Sequence, residues 1–313
     1  MPAIVTLTLN PTIDGSSEAE RVRPIHKVRT TGERYDPGGG GINVARVVRA
    51  LGGDALAICL AGGATGPVLD ALLEEHGVPR RFVSIRGPTR ISLTVYERAS
   101  GQEYRFVPEG PRLSTAEVRA CLQAVAEVDC AWFVASGSLP PGAPDDMLAE
   151  AGRIASGRGA RFVLDSSGAG LKATLGAAPV HLVKPSLREL QALMGRELPD
   201  AASREEAAAE LVAAGAAEMV AVTLGHEGAI LARRDGVVRA PALDVAVCSA
   251  VGAGDSFLAA MVCALAQGMA PRDAFLRGMA GGAAAVMTPG TELARAADVE
   301  RLYRELAAAQ AIG

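Results

Sequence analysis

Features that mark several classes of protein are missing from this sequence. No apolar run approaches the roughly 20 residues that a helix needs to span a bilayer, and the chain begins without the cationic segment and cleavage site of a secretory signal. Lys and Arg are scattered rather than clustered, and their 31 side chains are outnumbered by 35 of Asp and Glu. A cytoplasmic protein that binds neither a membrane nor nucleic acid is therefore expected.

The sequence also lacks the cysteine patterns of a disulfide framework or a zinc site. The five cysteines are odd in number and form no Cys-x-x-Cys pair. Each cysteine is therefore predicted to be a small buried apolar residue. The five are Cys59, Cys121, Cys130, Cys248 and Cys263.

The composition that remains is that of a globular protein with many tight turns, since 49% of the residues are hydrophobic and 36 are glycine. Short apolar runs alternate with amphipathic stretches along most of the chain, which is typical of βαβ units. This alternation predicts an α/β fold with a doubly wound, mostly parallel sheet and helices on both faces. The predicted strands include residues 55–60, 130–135, 160–164, 180–183 and 219–224.

Two segments do not follow this alternation. Residues 27–34, and the pair 90–97 and 102–107 joined by a turn at 99–101, have the pattern of antiparallel strands. They predict a small β-layer beside the main sheet. The last third of the chain, residues 254–309, is helical in pattern and rich in Ala and Gly, which predicts closely packed helices.

The strongest local motif is Val251-Gly252-Ala253-Gly254-Asp255-Ser256, which leads directly into an apolar helix. Glycines before a helix leave backbone N–H groups uncovered at the positive end of the helix dipole, where an anion such as a transferring phosphoryl group can bind. Asp255 has two interpretations here. It could complement the helix dipole, or it could accept a proton from a substrate hydroxyl that attacks a γ-phosphorus atom.

A second glycine motif precedes another helix, at residues 38–41, and Asn43 follows it in the first turn of that helix. Such a run lets the backbone approach a ligand closely, and the Asn43 amide can bond to hydroxyls or phosphate. Taken alone, the run could equally be a flexible loop.

Rival nucleotide-binding motifs are absent or incomplete. The sequence contains no G-x-x-x-x-G-K-[ST] and neither the H-R-D nor the D-F-G signature of protein kinases. Gly252-x-Gly254-x-x-Phe257 matches part of the dinucleotide fingerprint, but the third glycine is missing and no βαβ unit follows. A Walker-type site is therefore excluded, and a dehydrogenase is disfavoured.

Together the two glycine motifs resemble those of the phosphofructokinase B family of ribokinase-like sugar kinases, and the resemblance covers essentially the whole chain. It implies one ribokinase-like kinase domain over residues 1–313, with lid strands inserted at about 10–35 and 90–108. The glycine run and Asp165-Ser166-Ser167-Gly168 are most similar to those of the minor 6-phosphofructokinases of bacteria. The segments that match in order are residues 8–14, 38–46, 88–90, 136–142, 164–168, 183–185 and 251–256.

The resemblance also implies a role for each matching position. Asp255 would be the catalytic base, and the backbone N–H groups of Gly252, Ala253 and Gly254 would surround the transferring phosphoryl group. Arg90 and Ser138 would bind the phosphate of the sugar, and Lys27 would lie on the lid. The sugar-phosphate site would comprise Asp14, Gly39, Asn43, Arg90 and Ser138, and the ATP site Lys27, Lys184, Ser186, Thr223, Gly225 and Gly228.

One segment departs from the family pattern. Ser186-Leu187-Arg188-Glu189 stands where the family has Asn-x-x-Glu. Glu189 is interpreted as a residue that organises, through water, the Mg²⁺ that accompanies ATP. Ser-x-x-Glu is also a capping box, so a structural cause for both residues stays open. The resemblance further implies a K⁺ site at Ser249, Val251, Ala285 and Gly290.

The activity that the resemblance implies is the MgATP-dependent phosphorylation of the C1 hydroxyl of fructose 6-phosphate, a step of glycolysis, by a homodimer that forms through the lid. A nearby triphosphate would raise the pKa of Asp255 and the helix N-terminus would lower it, leaving a base that works near neutrality. Tagatose 6-phosphate, fructose 1-phosphate and an unphosphorylated sugar or nucleoside are alternative substrates. A non-catalytic nucleotide-binding or dinucleotide-binding module is the alternative from another class, and it would not need Asp255.

Overall fold

The computed structural model describes residues 3–311, and thirteen strands and ten α-helices lie within this part of the chain. The strands are β1 (Ile4–Thr8), β2 (Thr12–Ala19), β3 (Thr30–Gly38), β4 (Ala55–Gly62), β5 (Arg80–Ile85), β6 (Arg90–Glu97), β7 (Gln102–Phe106), β8 (Trp132–Ser136), β9 (Arg161–Asp165), β10 (Val180–Val183), β11 (Met219–Thr223), β12 (Ala229–Arg233) and β13 (Gly236–Ala240). The helices are α1 (Gly40–Ala50), α2 (Gly66–Glu75), α3 (Thr115–Ala126), α4 (Met147–Gly157), α5 (Gly168–Thr174), α6 (Leu187–Met194), α7 (Ala201–Ala213), α8 (Ala253–Ala266), α9 (Pro271–Val286) and α10 (Ala296–Ala311). No helix in residues 3–311 has both the length and the hydropathy needed to cross a membrane.

Nine of the strands form one large sheet in the order β13-β12-β11-β10-β9-β8-β1-β4-β5. The strands from β11 to β5 pair in parallel, whereas β12 is antiparallel to β11 and to β13. The five strands predicted from apolar runs all belong to this sheet. The predicted α/β fold with a mostly parallel sheet is therefore confirmed.

Helices cover both faces of the large sheet. Successive residues of a strand point to opposite faces, so Ile4 and Val5 belong to two different buried clusters. One cluster packs α1, α8 and α9 against the sheet, and the other packs α3, α4 and α7. Parallel strands need this coverage because their central residues are apolar on both faces.

The other four strands form a small sheet in the order β3-β2-β6-β7. The predicted hairpin is confirmed, since β6 and β7 pair antiparallel across a turn at residues 98–101. The predicted strand at 27–34 is wrong at its start, because β3 begins at Thr30. Its partner β2 ends at Ala19, opposite Thr30, so Lys27 has no strand to pair with and lies in an exposed loop.

The cysteines are free, and four of the five are buried as predicted. The prediction is wrong for Cys248, which is exposed. Cys248 lies in the irregular segment between β13 and α8, outside both buried clusters, and its N–H donates to the Val286 carbonyl oxygen over 2.7 Å. Residue type alone does not reveal that this segment runs along the surface.

Small residues let α8 and α9 pack closely, as the composition of this part of the chain predicts. Every residue of α8 from Ser256 to Leu265 is buried. A Cβ atom on Gly281 of α9 would lie only 2.6 Å from the Ser256 carbonyl oxygen, whereas one on Gly282 would lie 3.4 Å from its nearest neighbour, an ordinary contact. Gly281 therefore sets how near α9 comes to the first turn of α8.

Gly281→Ala should lower the free energy of unfolding by about 1–3 kcal/mol, because the added methyl group overpacks the contact with Ser256. Gly282→Ala is the matched control, and it should leave stability unchanged or raise it by up to about 1 kcal/mol, since Ala favours a helix. Denaturant unfolding of both variants checks this. Equal stability of the two variants would contradict the proposed contact.

Candidate active site

The candidate site lies at one edge of the large sheet, where its parallel strands end. Ser136, Asp165 and Thr223 are the last residues of β8, β9 and β11, and Lys184 directly follows β10. The carboxyl ends of parallel strands meet at the same edge, and ligands of open α/β sheets bind there. The polar side chains singled out in the sequence are therefore brought together by the order of the strands.

The glycine run 38–41 packs against this edge at the start of α1. A Cβ atom on Gly38 would lie 1.9 Å from Asp14 Oδ2, and one on Gly40 would lie 2.2 Å from Ser136 Oγ. Gly39 has φ of 106°, which a residue with a side chain rarely adopts. The flexible-loop interpretation is therefore wrong, because each glycine is needed for close approach.

The other glycine motif begins α8 beside the start of α1. Gly252 precedes the helix in a left-handed conformation with φ of 73°, and Asp255 stands in the first turn. Asn43, in the first turn of α1, donates from Nδ2 to Asp255 Oδ2 over 2.8 Å. The two glycine motifs thus place the starts of two helices next to each other.

Two cavities meet at this point. The first cavity has a volume of about 440 Å³ and is lined by thirteen of the site residues predicted from the sequence. The second has a volume of about 730 Å³, is lined by five of them, and has mostly apolar walls. Thr223 and Gly254 line both cavities. In the first are Asp14, Gly39, Asn43, Arg90, Ser138, Lys184, Ser186, Glu189, Thr223, Val251, Gly252, Gly254 and Asp255, and in the second Thr223, Gly225, Gly228, Ala253 and Gly254.

The surroundings of Asp255 raise its proton affinity. Burial and the neighbouring carboxylate of Asp165 raise the pKa of Asp255 to about 7, against the lowering effects of the Asn43 hydrogen bond and the Lys184 charge. A group with a pKa near 7 is half deprotonated at neutral pH and can both accept and release a proton. The pKa of Asp255 is thus raised by burial and by Asp165, and not by a bound triphosphate, which is the cause expected from the sequence.

Lys184 supplies a buried positive charge at the junction of the cavities. Its Nζ lies 3.1 Å from Asp165 Oδ1, and both side chains are largely buried. Although burial favours the neutral amine, the nearby carboxylate of Asp165 keeps the pKa of Lys184 above its usual value. Nζ would also lie 3.3 Å from a Cβ on Gly254, so Lys184 reaches the first turn of α8.

Two arginines of the small sheet line the first cavity. Arg90 donates from Nη1 to the Pro108 carbonyl over 2.8 Å and from Nη2 to the Asn10 carbonyl over 2.9 Å, while its buried Nε has no partner among the described residues. Arg105, which belongs to none of the sequence motifs, lines the same cavity from β7. The alternation of faces along β7 is the sequence feature that could indicate Arg105. Which of the two faces meets the cavity is known only once β7 is paired with β6.

The small sheet has a polar face and an apolar face. Asp14 pairs in register with Asp36 and with Ser92, and Asp14 and Ser92 line the first cavity. One residue further on, Gly15 lies between Tyr35 and Leu93, and Leu93 pairs with Phe106. Tyr35, Leu93 and Phe106 are about half exposed. The polar face therefore covers the cavity, and an apolar row faces outward.

Ser186 and Glu189 form the capping box that the sequence allows. The Ser186 hydroxyl accepts the Glu189 N–H over 3.3 Å, and Glu189 Oε2 accepts the Ser186 N–H over 2.8 Å. A capping box satisfies two helix N–H groups that would otherwise lack partners. The structural interpretation of both residues is therefore confirmed, and both also line the first cavity.

Four predicted site residues line neither cavity. Lys27 lies in the exposed loop between β2 and β3. Ser249 precedes α8, while Ala285 and Gly290 lie at the end of α9 and in the following turn. The Ala285 carbonyl accepts both the N–H and the hydroxyl of Thr288, over 3.1 and 2.7 Å.

Known proteins resemble the chain over nearly its full length. Residues 9–297 match the model of the pfkB family of carbohydrate kinases. The chain is 44% identical over 309 residues to "ATP-dependent 6-phosphofructokinase isozyme 2" of Mycobacterium tuberculosis, covering 98% of this chain and 90% of that protein. It is 40% identical over 307 residues to the protein of the same name of Escherichia coli, covering 98% and 99%. Structures of E. coli phosphofructokinase-2 in complex with potassium and with fructose-6-phosphate match with TM-scores of 0.94 and 0.92, at 40% and 39% identity, each covering 98% of this chain and 100% of the other.

Proposed function

The chain belongs to the pfkB family of carbohydrate kinases, and from this membership we propose that it transfers the γ-phosphoryl group of ATP to the C1 hydroxyl of fructose 6-phosphate. The observation that carries the proposal is the position of Asp255, which lines the first cavity and directly follows Gly254, a residue that lines both cavities. One cavity has charged groups for a phosphosugar, and the other has apolar walls for a nucleotide base. The relatives named 6-phosphofructokinase, at 44% and 40% identity, support this sugar.

Asp255 accepts the proton of the C1 hydroxyl while its oxygen attacks the γ-phosphorus. An O–P bond forms to the sugar, the bond to the β-phosphate oxygen breaks, and ADP leaves with that electron pair. The N–H groups at the start of α8 and the Lys184 ammonium stabilise the negative charge on the phosphoryl oxygens. The proton then passes from Asp255 to solvent, which restores the base.

The sugar phosphate occupies the first cavity. The Asp14 carboxylate accepts hydrogen bonds from the sugar hydroxyls, and the Asn43 amide donates to them. Gly39 lets the backbone approach the sugar ring. Arg90 binds the 6-phosphate together with Ser138, through the guanidinium hydrogens that the Pro108 and Asn10 carbonyls leave free. Arg105 adds a second positive charge to this end of the cavity.

The nucleotide occupies the second cavity. Phe257, Met279 and Val286 provide apolar walls for the flat base. Gly225 and Gly228 also line this cavity. A Cβ atom on Gly225 would meet no atom within 4 Å, which leaves room for the ribose, whereas Gly228 lets its backbone pass close to the Ala240 carbonyl oxygen. Thr223 and Gly254, which line both cavities, lie where the phosphates must pass, and Lys184 and Ser186 follow on the side of the sugar.

The residues of the first cavity fit a magnesium ion that ATP brings with it. Residues 3–311 contain no cluster of three or more His, Cys, Asp or Glu side chains that could hold a metal. Mg²⁺ commonly binds through phosphates, waters and one or two carboxylates rather than through a protein cage. One carboxylate oxygen of Glu189 lies outside the capping box and would hold a water molecule bound to the ion. When bound, the Mg²⁺ would neutralise charge on the phosphates.

A monovalent cation fits the predicted residues only in part. The complex of the E. coli enzyme with potassium supports a K⁺ site in this chain, near Ser249, Val251 and Gly290. Ala285 does not fit that role, because both acceptor positions of its carbonyl oxygen are taken by Thr288.

The apolar row on the small sheet supports assembly of a homodimer through the lid. Tyr35, Leu93 and Phe106 expose a contiguous apolar surface, and a second copy would bury it. The enzyme would act in the cytoplasm, where an exposed thiol such as that of Cys248 stays reduced.

Leu93→Asp should shift the protein toward monomer, because it places a charge in the centre of the apolar row. Val68→Asp is the matched control, since Val68 is equally exposed but lies on α2, outside the apolar row of the small sheet. Sedimentation equilibrium of both variants measures the effect. A wild-type monomer, or a Leu93→Asp dimer as tight as the control, would overturn the assembly.

Asp255→Asn should lower kcat by about two to four orders of magnitude, the usual contribution of a general base. Asn keeps the size and suits a helix start, so both substrates should still bind. In the wild type, kcat/KM should fall as the pH drops below about 7, because protonated Asp255 cannot accept a proton. A folded variant that binds both substrates and keeps more than about a tenth of kcat would show that Asp255 only complements the helix dipole.

The sugar is tested separately by ADP release with fructose 6-phosphate, tagatose 6-phosphate and fructose 1-phosphate. Fructose 6-phosphate should give the highest kcat/KM. A higher value for fructose 1-phosphate, whose C1 hydroxyl is already phosphorylated, would overturn the choice of sugar but not the role of Asp255.

Arg90→Ala should raise KM for fructose 6-phosphate about 10- to 100-fold and leave KM for ATP nearly unchanged, because a hydrogen bond to a charged group contributes about 1.5–3 kcal/mol. Arg158→Ala, at the far end of α4, is the control and should change neither constant. Steady-state kinetics with each substrate varied in turn decides the matter. An equal rise in both constants would count against a phosphate contact.

A further inference from the structure

We propose that Arg46 is a positioning residue: anchored by Asp36, it holds the side-chain amide of Asn43 in the orientation that keeps Asp255 ready to accept a proton. The proposal rests on the proposed function of Asp255 and assigns a task to a charged pair outside the substrate cavities. No contact between Arg46 and a substrate is needed.

A continuous set of contacts joins Asp36 to Asp255. Arg46 Nη2 lies 3.1 Å from Asp36 Oδ1, and Arg46 Nη1 donates to the Pro37 carbonyl over 3.0 Å and to Asn43 Oδ1 over 3.4 Å. Asn43 in turn donates from Nδ2 to Asp255 over 2.8 Å. The Arg46 and Asp36 side chains are 8% and 1% exposed, so the surrounding protein limits their movement.

The charges on either side of Asn43 determine which way its amide faces. Arg46 can only donate and an ionised Asp255 can only accept, so the amide oxygen must face Arg46 and the NH₂ group must face Asp255. A flipped amide would place NH₂ against the guanidinium and oxygen against the carboxylate. That flipped form would accept a hydrogen bond from protonated Asp255, and so would stabilise the state that cannot act as a base. Arg46 excludes it.

Asp36 is anchored well enough to hold Arg46 in place. It accepts from Thr291 Oγ1 over 2.6 Å and from Arg34 Nε over 2.8 Å, and His76 Nε2 lies 3.2 Å from it. Although burial alone would raise the pKa of Asp36, the hydrogen bonds from His76, Arg34 and Thr291 hold it well below the usual range. Asp36 is therefore ionised throughout the pH range in which Asp255 titrates.

Arg46 forms no hydrogen bond with the other charged groups that face Asp255, although its charge lowers the pKa of one of them, Asp14. They are Asp165 at the end of β9, Lys184 after β10 and Asp14 on β2. A change at Arg46 leaves these groups in place. A shift in the titration of Asp255 then reports either the lost orientation of Asn43 or the lost charge of Arg46, and a double variant separates the two causes.

The test is the titration of Asp255 in the free protein, followed by the carboxyl ¹³C resonance of labelled aspartate and assigned by its loss in Asp255→Asn. Asn43→Ala and Arg46→Met should each raise the midpoint, by up to about one pKa unit, because each removes an oriented hydrogen bond from the charged form. The double variant should shift no further than Asn43→Ala. Arg49→Met, on the same helix and paired with the exposed Asp54, should leave the midpoint unchanged.

A folded Arg46→Met protein with an unshifted midpoint would overturn the proposal, and so would shifts that add in the double variant, which would mean a direct effect of charge. If Arg46→Met does not fold, Arg46→Lys keeps a positive charge beside Asp36 but has a single nitrogen in place of the two that contact Asp36 and Asn43, and it should raise the midpoint by a smaller amount. An unchanged midpoint in Arg46→Lys would then overturn the proposal. The titration needs no turnover, so a failure of the proposed kinase activity, seen as full activity in Asp255→Asn, remains distinguishable.

Discussion

The hydrogen bond from Asn43 to Asp255 joins the first turns of two helices whose bonded residues are 212 positions apart in the chain. Both helices present uncovered N–H groups at this point, and both ends favour negative charge. A carboxylate there would normally be strongly acidic. Burial and the neighbouring Asp165 outweigh the Asn43 hydrogen bond and the Lys184 charge, which raises the pKa of Asp255 to about 7. The chemistry of the site depends on this balance, and so on how close the two helices are.

Much of the candidate site could be predicted from the sequence because many of its residues end or follow a strand or begin a helix. Asp165, Lys184 and Thr223 are placed by the ends of three parallel strands, and the two glycine runs are placed by the helices that they precede. Each of these positions is determined locally in the sequence. Because the strands are parallel, their carboxyl ends lie at the same edge of the sheet, which brings these residues together. The Ser186–Glu189 capping box is local in the same way, so its geometry also agreed with its pattern.

The residues that were misplaced or missed depend on contacts between distant segments. Lys27 was placed in a strand by its neighbours, but the length of β2 decides where β3 can start. Arg105 reaches the cavity only because β7 pairs with β6 in one particular register. The contacts of Asp36 come from α1, from the end of α2 and from the turn that contains Thr291, and no short motif contains all of them.

The alternation of faces in the small sheet has a consequence for how the family can diverge. Asp14 lines the first cavity, while Gly15 lies in the outward apolar row between Tyr35 and Leu93. Substitutions can retune either face separately. Deletion or insertion of a single residue in β2 would instead exchange the two faces, sending the carboxylate outward and an apolar side chain into the cavity. Length changes among relatives should therefore accumulate in the loop at residues 20–29 and at the turn 98–101, and not within these strands.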